Sequence, residues 1–170
     1  MGVKFTINGK ETADINAMFK DIDATAGRIK SRILMSVRLA CLATVRRARE
    51  LPSPPETMRG KPHQPNYIDQ TGVLRASIGF AIYDQGQRVM ENFEKGGEGA
   101  AQGIKTAEDV SKKFPDKIVA IVVAGADYAA AVESRGYFVL SEPASHLGEI
   151  LQSYLRQIKP TNTNNTPIKP

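Results

Sequence analysis

The chain has 170 residues, 41% of them hydrophobic and 24% charged, the balance of an ordinary globular protein with enough length to bury a core. Its one cysteine excludes an internal disulfide framework, and no apolar run reaches the roughly 18–20 residues of a membrane span. The formal net charge of +5 comes entirely from the first fifty residues, where ten Lys/Arg face five Asp/Glu, and from Arg28 to Arg49 seven basic residues occur with no acidic one.

The N-terminus lacks the apolar stretch of a signal peptide, so synthesis in a reducing cytoplasm is expected. Val3, Phe5 and Ile7 alternate with Lys4, Thr6 and Asn8, which predicts a short strand closed by Asn8-Gly9. Thr12 or Asp14 then stands where a helix cap belongs. Ile15, Met18, Phe19, Ile22, Ala26, Ile29, Ile33, Val37, Ala40, Thr44 and Ala48 follow in steps of three and four. At about 100° per residue all of them share one face, which predicts a helix of about 50 Å ending at Leu51-Pro52. Cys41 falls in its apolar part and is expected to be a buried, inert thiol.

A ten-residue strand spans only about 33 Å, so one small sheet cannot cover such a helix, and part of it is expected to pack on another subunit. The opposite face carries Arg28, Arg32, Arg38, Arg46 and Arg49, with Met35, Leu39 and Leu42 among them. Two readings stand side by side. One is a solvated face of snorkelling charged side chains, and the other is a protein interface, where Arg and Met are enriched.

Residues 52–68 contain five prolines and predict an extended loop. From Val73 to Tyr83 the pattern has period two, with Leu74, Ala76, Ile78, Phe80 and Ile82 on one side, and predicts a half-buried strand. A turn at Asp84-Gln85-Gly86 leads to a second strand over Arg88–Phe93. Residues 94–105 are Gly-rich and predict a mobile loop, with a short helix from Thr106 to Phe114. Ile118–Ala124 is almost wholly aliphatic, the pattern of a central strand buried on both faces.

Asp127 is the expected cap of a helix that stops at Gly136, and Tyr137–Leu140 reads as a last strand. Pro143 suits the first turn of a final helix with an apolar face of Leu147, Ile150, Leu151, Tyr154, Leu155 and Ile158. The tail 159–170 is expected to be disordered. The sum is an α+β class. A single domain over residues 1–158 would have a small antiparallel sheet of about four strands, packed by one long N-terminal helix and shorter helices.

Chemistry-bearing patterns are sparse. The segment Gly97-Glu98-Gly99-Ala100-Ala101-Gln102-Gly103-Ile104-Lys105-Thr106 misses the dinucleotide fingerprint at Gln102 and the phosphate-loop pattern at Ile104. His63 and His146 are the only histidines and show no metal-ligand spacing. Ser141 and Ser145 lie near His146 without a nucleophile elbow, and Asp69, Asp127, Glu133 and Glu142 read as caps and surface charges. No catalytic, metal or cofactor site is expected. An arginine face could follow phosphates, but there is no Trp, only 6% aromatics and no basic–aromatic interleaving, so no specific nucleic-acid ligand is expected.

Three segments in order carry a family likeness. They are Ala48-Arg49-Glu50-Leu51-Pro52, then Thr71-Gly72-Val73-Leu74-Arg75-Ala76-Ser77-Ile78, then Tyr128-Ala129-Ala130-Ala131-Val132-Glu133. Set behind a strand ending near Gly9, this order resembles the tail-completion and neck proteins of long-tailed phages over about residues 3–158. Here Ser134-Arg135 separate Glu133 from Gly136, where the family often has Glu-x-Gly.

The resemblance implies a non-enzymatic virion component, made in the bacterial host cytoplasm and forming a ring at the head–tail junction. Its implied partners are copies of itself and tail terminator, tail tube or connector proteins, with no cofactor and no membrane. The matched positions are Thr71, Gly72, Leu74, Arg75, Ser77, Tyr128 and Glu133. Thr71-Gly72 is expected to set a turn, Leu74 and Ile78 to fill core, and Tyr128 and Glu133 to anchor a helix and a neighbour. The rival expectation is a basic nucleic-acid-binding protein using the Arg-rich helix 28–49.

Overall fold

The structure is a computed structural model that describes residues 4–7, 10–51 and 67–158, with side chains from Phe19 onward. Most of the expected Pro-rich loop (52–66), the Gly9 turn and the tail 159–170 lie outside the described residues. Of the 52–68 stretch, Tyr67 and Ile68 are described, and Tyr67 is buried.

Two strands precede the long helix. β1 (Lys4–Ile7) pairs antiparallel with β2 (Lys10–Asp14), so Thr12 and Asp14, the expected helix caps, belong to a strand. α1 runs from Ile15 to Glu50, 36 residues or about 54 Å at 1.5 Å per residue. Its last turn carries Arg47 and Arg49, which complement the negative end of the helix dipole.

The segment from Val73 is not the start of a strand. α2 (Val73–Ser77) is a short helix, and β3 begins only at Ile78 and runs to Asp84. The cause is local. Gly72 adopts φ +75°, a left-handed conformation that glycine takes without penalty, and the Asp69 carboxylate accepts from the Gly72 N–H (3.0 Å) and the Arg75 N–H (3.1 Å). Those bonds satisfy donors that a first helical turn leaves open. Leu74 and Ser77, three residues apart, are both buried on the same side of this turn.

β3 pairs with β4 (Gln87–Asn92) and with β5 (Ile118–Ala124), giving a three-stranded antiparallel sheet in the order β4-β3-β5. The expected hairpin is present. Gln85 and Gly86 have φ of 50° and 76°, the paired positive φ of a two-residue turn whose twist matches the strands. The central strand is β3, not the aliphatic β5 segment. Residues 78–83 are buried without a break, whereas β5 lies at the sheet edge and is mostly half-buried. The aliphatic run in β5 misleads because edge and centre differ in what lies beside a strand, which its own composition does not record.

The burial of β3 shows how the layers stack. Ile78, Phe80 and Ile82 enter one core with Cys41, Val45 and Ala48 of α1, together with Leu74, Ala126, Ala129 and Val139. Ala81 and Tyr83 point the other way, into a second core with Ala107, Ile121 and Val123. The sheet is therefore sandwiched between α1 and α3 (Glu98–Ser111).

α3 replaces the expected mobile loop, and its glycines explain why. A Cβ on Gly103 would fall 2.5 Å from the Ser77 carbonyl oxygen, and one on Gly99 would collide with the Val73 carbonyl. Four residues apart, the two glycines form a bare stripe on which the backbone of α2 rests.

After β5 come α4 (Ala129–Ser134), α5 (Ser141–Ser145) and α6 (Leu147–Leu155). Asp127 does not cap α4. Tyr128 holds the cap position, with no side-chain cap bond. Gly136 takes φ +87°, as a helix stop requires. Residues 137–140 form bends and irregular chain, where a strand was expected, and the final helix is split at His146. The apolar residues of α6 are only half-buried.

Candidate functional site

α1 is two different objects along its length. From Ala40 onward its apolar face is sealed: Ala40, Cys41, Thr44, Val45 and Ala48 are at most 1% exposed. The Thr44 hydroxyl, buried there, donates to the Ala40 carbonyl at 3.1 Å. Burial pushes the Cys41 thiol up to about 11, so it stays protonated near neutral pH and is a poor nucleophile.

From Phe19 to Ile33 every residue is exposed. The same stripe that is core in the second half lies open in the first, with Phe19 at 61% and Ile33 at 40% exposure. This half therefore projects as an arm. Lys30 marks its root, where the ammonium pairs with Asp84 at the end of β3 at 2.5 Å.

The opposite, arginine-bearing face divides into exposed and packed residues. Met35 is 46% and Leu39 36% exposed, and Arg28, Arg32, Arg38 and Arg46 are exposed as well. Arg28 donates to the Thr25 hydroxyl at 3.0 Å, and Arg38 lies against the Met35 sulfur. Arg46 forms a pair with Glu50 one turn on, at 2.9 Å. Leu42 departs from the sequence expectation, being half-buried and packed on the first core.

Arg49 also departs from it. Its Nε and Nη2 donate to the Ile78 carbonyl (3.1 and 2.6 Å) and its Nη1 to Asn92 Oδ1 (3.5 Å). Burial lowers its affinity for the proton, against a smaller opposing effect of Glu94. It is a strut between α1 and the first residue of β3, so it serves the fold. Arg47, outside the sequence-predicted set, forms a two-pronged pair with Glu142 of α5. That pair holds the Glu142 carboxyl below the usual range.

Three of the seven family-motif residues come together, and Glu133 stands apart from them. Thr71, Leu74 and Tyr128 line one cleft of about 460 Å³, with Tyr67, Asp69, Glu98, Gln102 and Asp127 around them. Thr71 accepts from the Val73 N–H, Leu74 is buried and Gly72 sets the turn, as expected. Ser77 is fully buried, and its hydroxyl donates to the Leu74 carbonyl at 2.7 Å. Arg75 is exposed and pairs loosely with Glu94 at 3.6 Å. Tyr128 is half-exposed on the rim. Asp69 is occupied in capping α2, and Glu98 accepts from the Gln102 amide at 3.1 Å.

Glu133 builds a second place alone. Its Oε1 accepts three successive backbone N–H groups, from Val139 (3.2 Å), Leu140 (2.7 Å) and Ser141 (2.7 Å). Burial pushes its carboxyl up, but the combined pull of these donors and the Ser141 hydroxyl wins and holds it below the usual range. The motif glutamate thus ties α4 to the chain that enters α5.

The remaining chemical candidates are absorbed locally. Ser145 donates to the Glu142 backbone carbonyl at 2.7 Å, and His146 faces the Glu142 carboxylate at 3.3 Å. His63 lies outside the described residues. Among the described residues no group of three or more His, Cys, Asp or Glu is placed to hold a metal, and no helix is long and apolar enough to cross a membrane. The sequence signal that could have found the Glu133 site is its position six residues before three amides at a helix start, which becomes visible only once the turn at Gly136 brings them back. No family model, no curated protein and no solved structure matches this chain.

Proposed function

We propose that this chain is a non-enzymatic structural component of a phage or prophage virion. It would act at the head–tail junction by self-association into a ring and by docking to tail terminator, tail tube or connector proteins. The observation that carries the reading is α1. A 36-residue helix is anchored by its second half and offers an apolar stripe on its projecting half and a Met–Leu–Arg face behind. Surfaces of this kind are made to be covered by protein. The ordered motifs that resemble neck and tail-completion proteins support the same reading, because their residues serve turns, core and caps. A closed ring needs two different surfaces on each subunit, and the face of Met35, Arg38 and Leu39 is one candidate.

The pairing of Arg46 with Glu50 and the inward turn of Arg49 break up the basic face that a nucleic-acid ligand would follow. The test is deletion of the coding sequence from a producing prophage, followed by electron microscopy of the lysate. Unjoined heads and tails, rescued by the wild-type chain but not by the double variant Met35→Asp, Leu39→Asp, are expected. Normal infectious particles without the chain would refute the proposal.

A further inference from the structure

We infer that the projecting arm of α1 docks on a second copy of this chain, the two arms lying antiparallel about a two-fold axis at Ala26. The exposed stripe is close to self-complementary on reversal. Phe19 and Ile33 lie seven residues either side of Ala26, and Ile22 and Ile29 lie four and three residues from it. Reversing the arm about Ala26 therefore lays Phe19 against Ile33 and brings Ile22 to within one residue, about 1.5 Å along the axis, of Ile29. A two-fold contact demands this self-complementarity, because each patch must fit its own image.

The charges choose the direction. At about 100° per residue, Asp23 and Lys30 fall on the same flank of the stripe, and Arg32 falls on the other. In an antiparallel pair like flanks face each other. Asp23 of one copy then comes level with position 29 of the other, about 1.5 Å along the axis from Lys30. Two identical Asp23–Lys30 pairs result. A parallel pair would instead set the Lys30 flank against Arg32. Lys30 is half-exposed beside Asp84, and its ammonium has donors enough for both carboxylates.

The crossing point is small on both copies, because Ala26 presents only a methyl group there and lets the backbones approach closely. The arm is about 22 Å long over Phe19–Ile33, short for a lasting interface, so the dimer is expected to dissociate on dilution. The pairing stands whether or not the chain is a virion component. It uses the face opposite Met35 and Leu39, so the two contacts can fail separately.

The test uses the full-length chain in sedimentation velocity over a dilution series. Asp23→Lys is expected to weaken the dimer by roughly tenfold, since two attractions become two repulsions. Lys30→Asp, made with Asp84→Asn so that the new carboxylate does not face Asp84, is expected to do the same, and the double exchange in that background to restore the affinity of the Asp84→Asn chain, because each swapped pair is again opposite in sign. In a second arm, Ala26→Cys is expected to give an interchain disulfide under mild oxidation. Ala24→Cys, about 160° around the helix, is expected to give none. Circular dichroism confirms that each variant is folded. A wild-type chain that stays monomeric, an assembly indifferent to Asp23→Lys, a double exchange that fails to restore, or equal cross-linking at positions 24 and 26 would each overturn the proposal.

Discussion

Replacing Glu133 by Ala removes the one acceptor shared by the N–H groups of Val139, Leu140 and Ser141. Val139 is fully buried and Leu140 half-buried, so their amides are poorly placed to find water, whereas Ser141 is exposed. A buried donor left without a partner costs about 1–3 kcal/mol, which for two such amides, discounted for partial solvent access, gives about 2–4 kcal/mol. In a chain of this size that is a fall in Tm on the order of 4–16 °C, readable by urea and thermal unfolding followed by circular dichroism.

Glu133→Gln keeps a carbonyl acceptor and loses only the charge, and about 1 kcal/mol is expected. The sign with pH follows from the carboxyl being held below its usual range. The stabilisation is complete above the unfolded value of about 4.3 and is lost as pH falls through the lower folded value. The gap between wild type and Glu133→Gln should therefore be constant from about pH 7 to 5 and close below about pH 4. A Glu133→Ala variant within about 0.5 kcal/mol of wild type, or a Gln deficit as large at pH 3 as at pH 7, would refute the reasoning.

Gly103→Ala should destabilise by more than about 2 kcal/mol, because the new methyl meets the Ser77 carbonyl oxygen 2.5 Å away and backbone cannot yield as a side chain can; denaturant midpoints measure it. Phe80→Ala, emptying a fully buried site in the central strand, should cost about 3–5 kcal/mol by the same assay. Leu39→Asp should leave stability within about 0.5 kcal/mol of wild type, while Leu42→Asp, packed on the core, should lose several times as much; paired melts separate the two positions. DNA binding by gel shift should be weak and vanish with salt; tight binding lost on Arg→Ala change at Arg32, Arg38 and Arg46 would favour the nucleic-acid alternative.

Features that depend on local period and local backbone conformation were legible before the fold was known. The three-and-four spacing from Ile15 to Ala48 made α1 legible to within a residue or two, because a helix repeats that spacing whatever lies beside it. The turn at Gln85-Gly86 and the helix stop at Gly136 were legible for the same reason, as positive φ selects glycine locally. The segment 73–83 shows the limit. Leu74, Ile78 and Ile82 satisfy a period of two and a period of four equally, and the decision fell to the Asp69 carboxylate, which caps the turn and makes Val73–Ser77 a helix.

The other features depend on contacts between elements far apart in the chain. Gly99 and Gly103 look like loop residues until α2 lies against them, and only then is their missing Cβ the reason a helix fits. β3 rather than β5 is central because strand order is a matter of neighbours, which a strand's own residues do not record. The same holds for α1. Its apolar face is continuous along the chain, and only the extent of the sheet and of the C-terminal helices packed on it decides where core ends and the exposed arm begins.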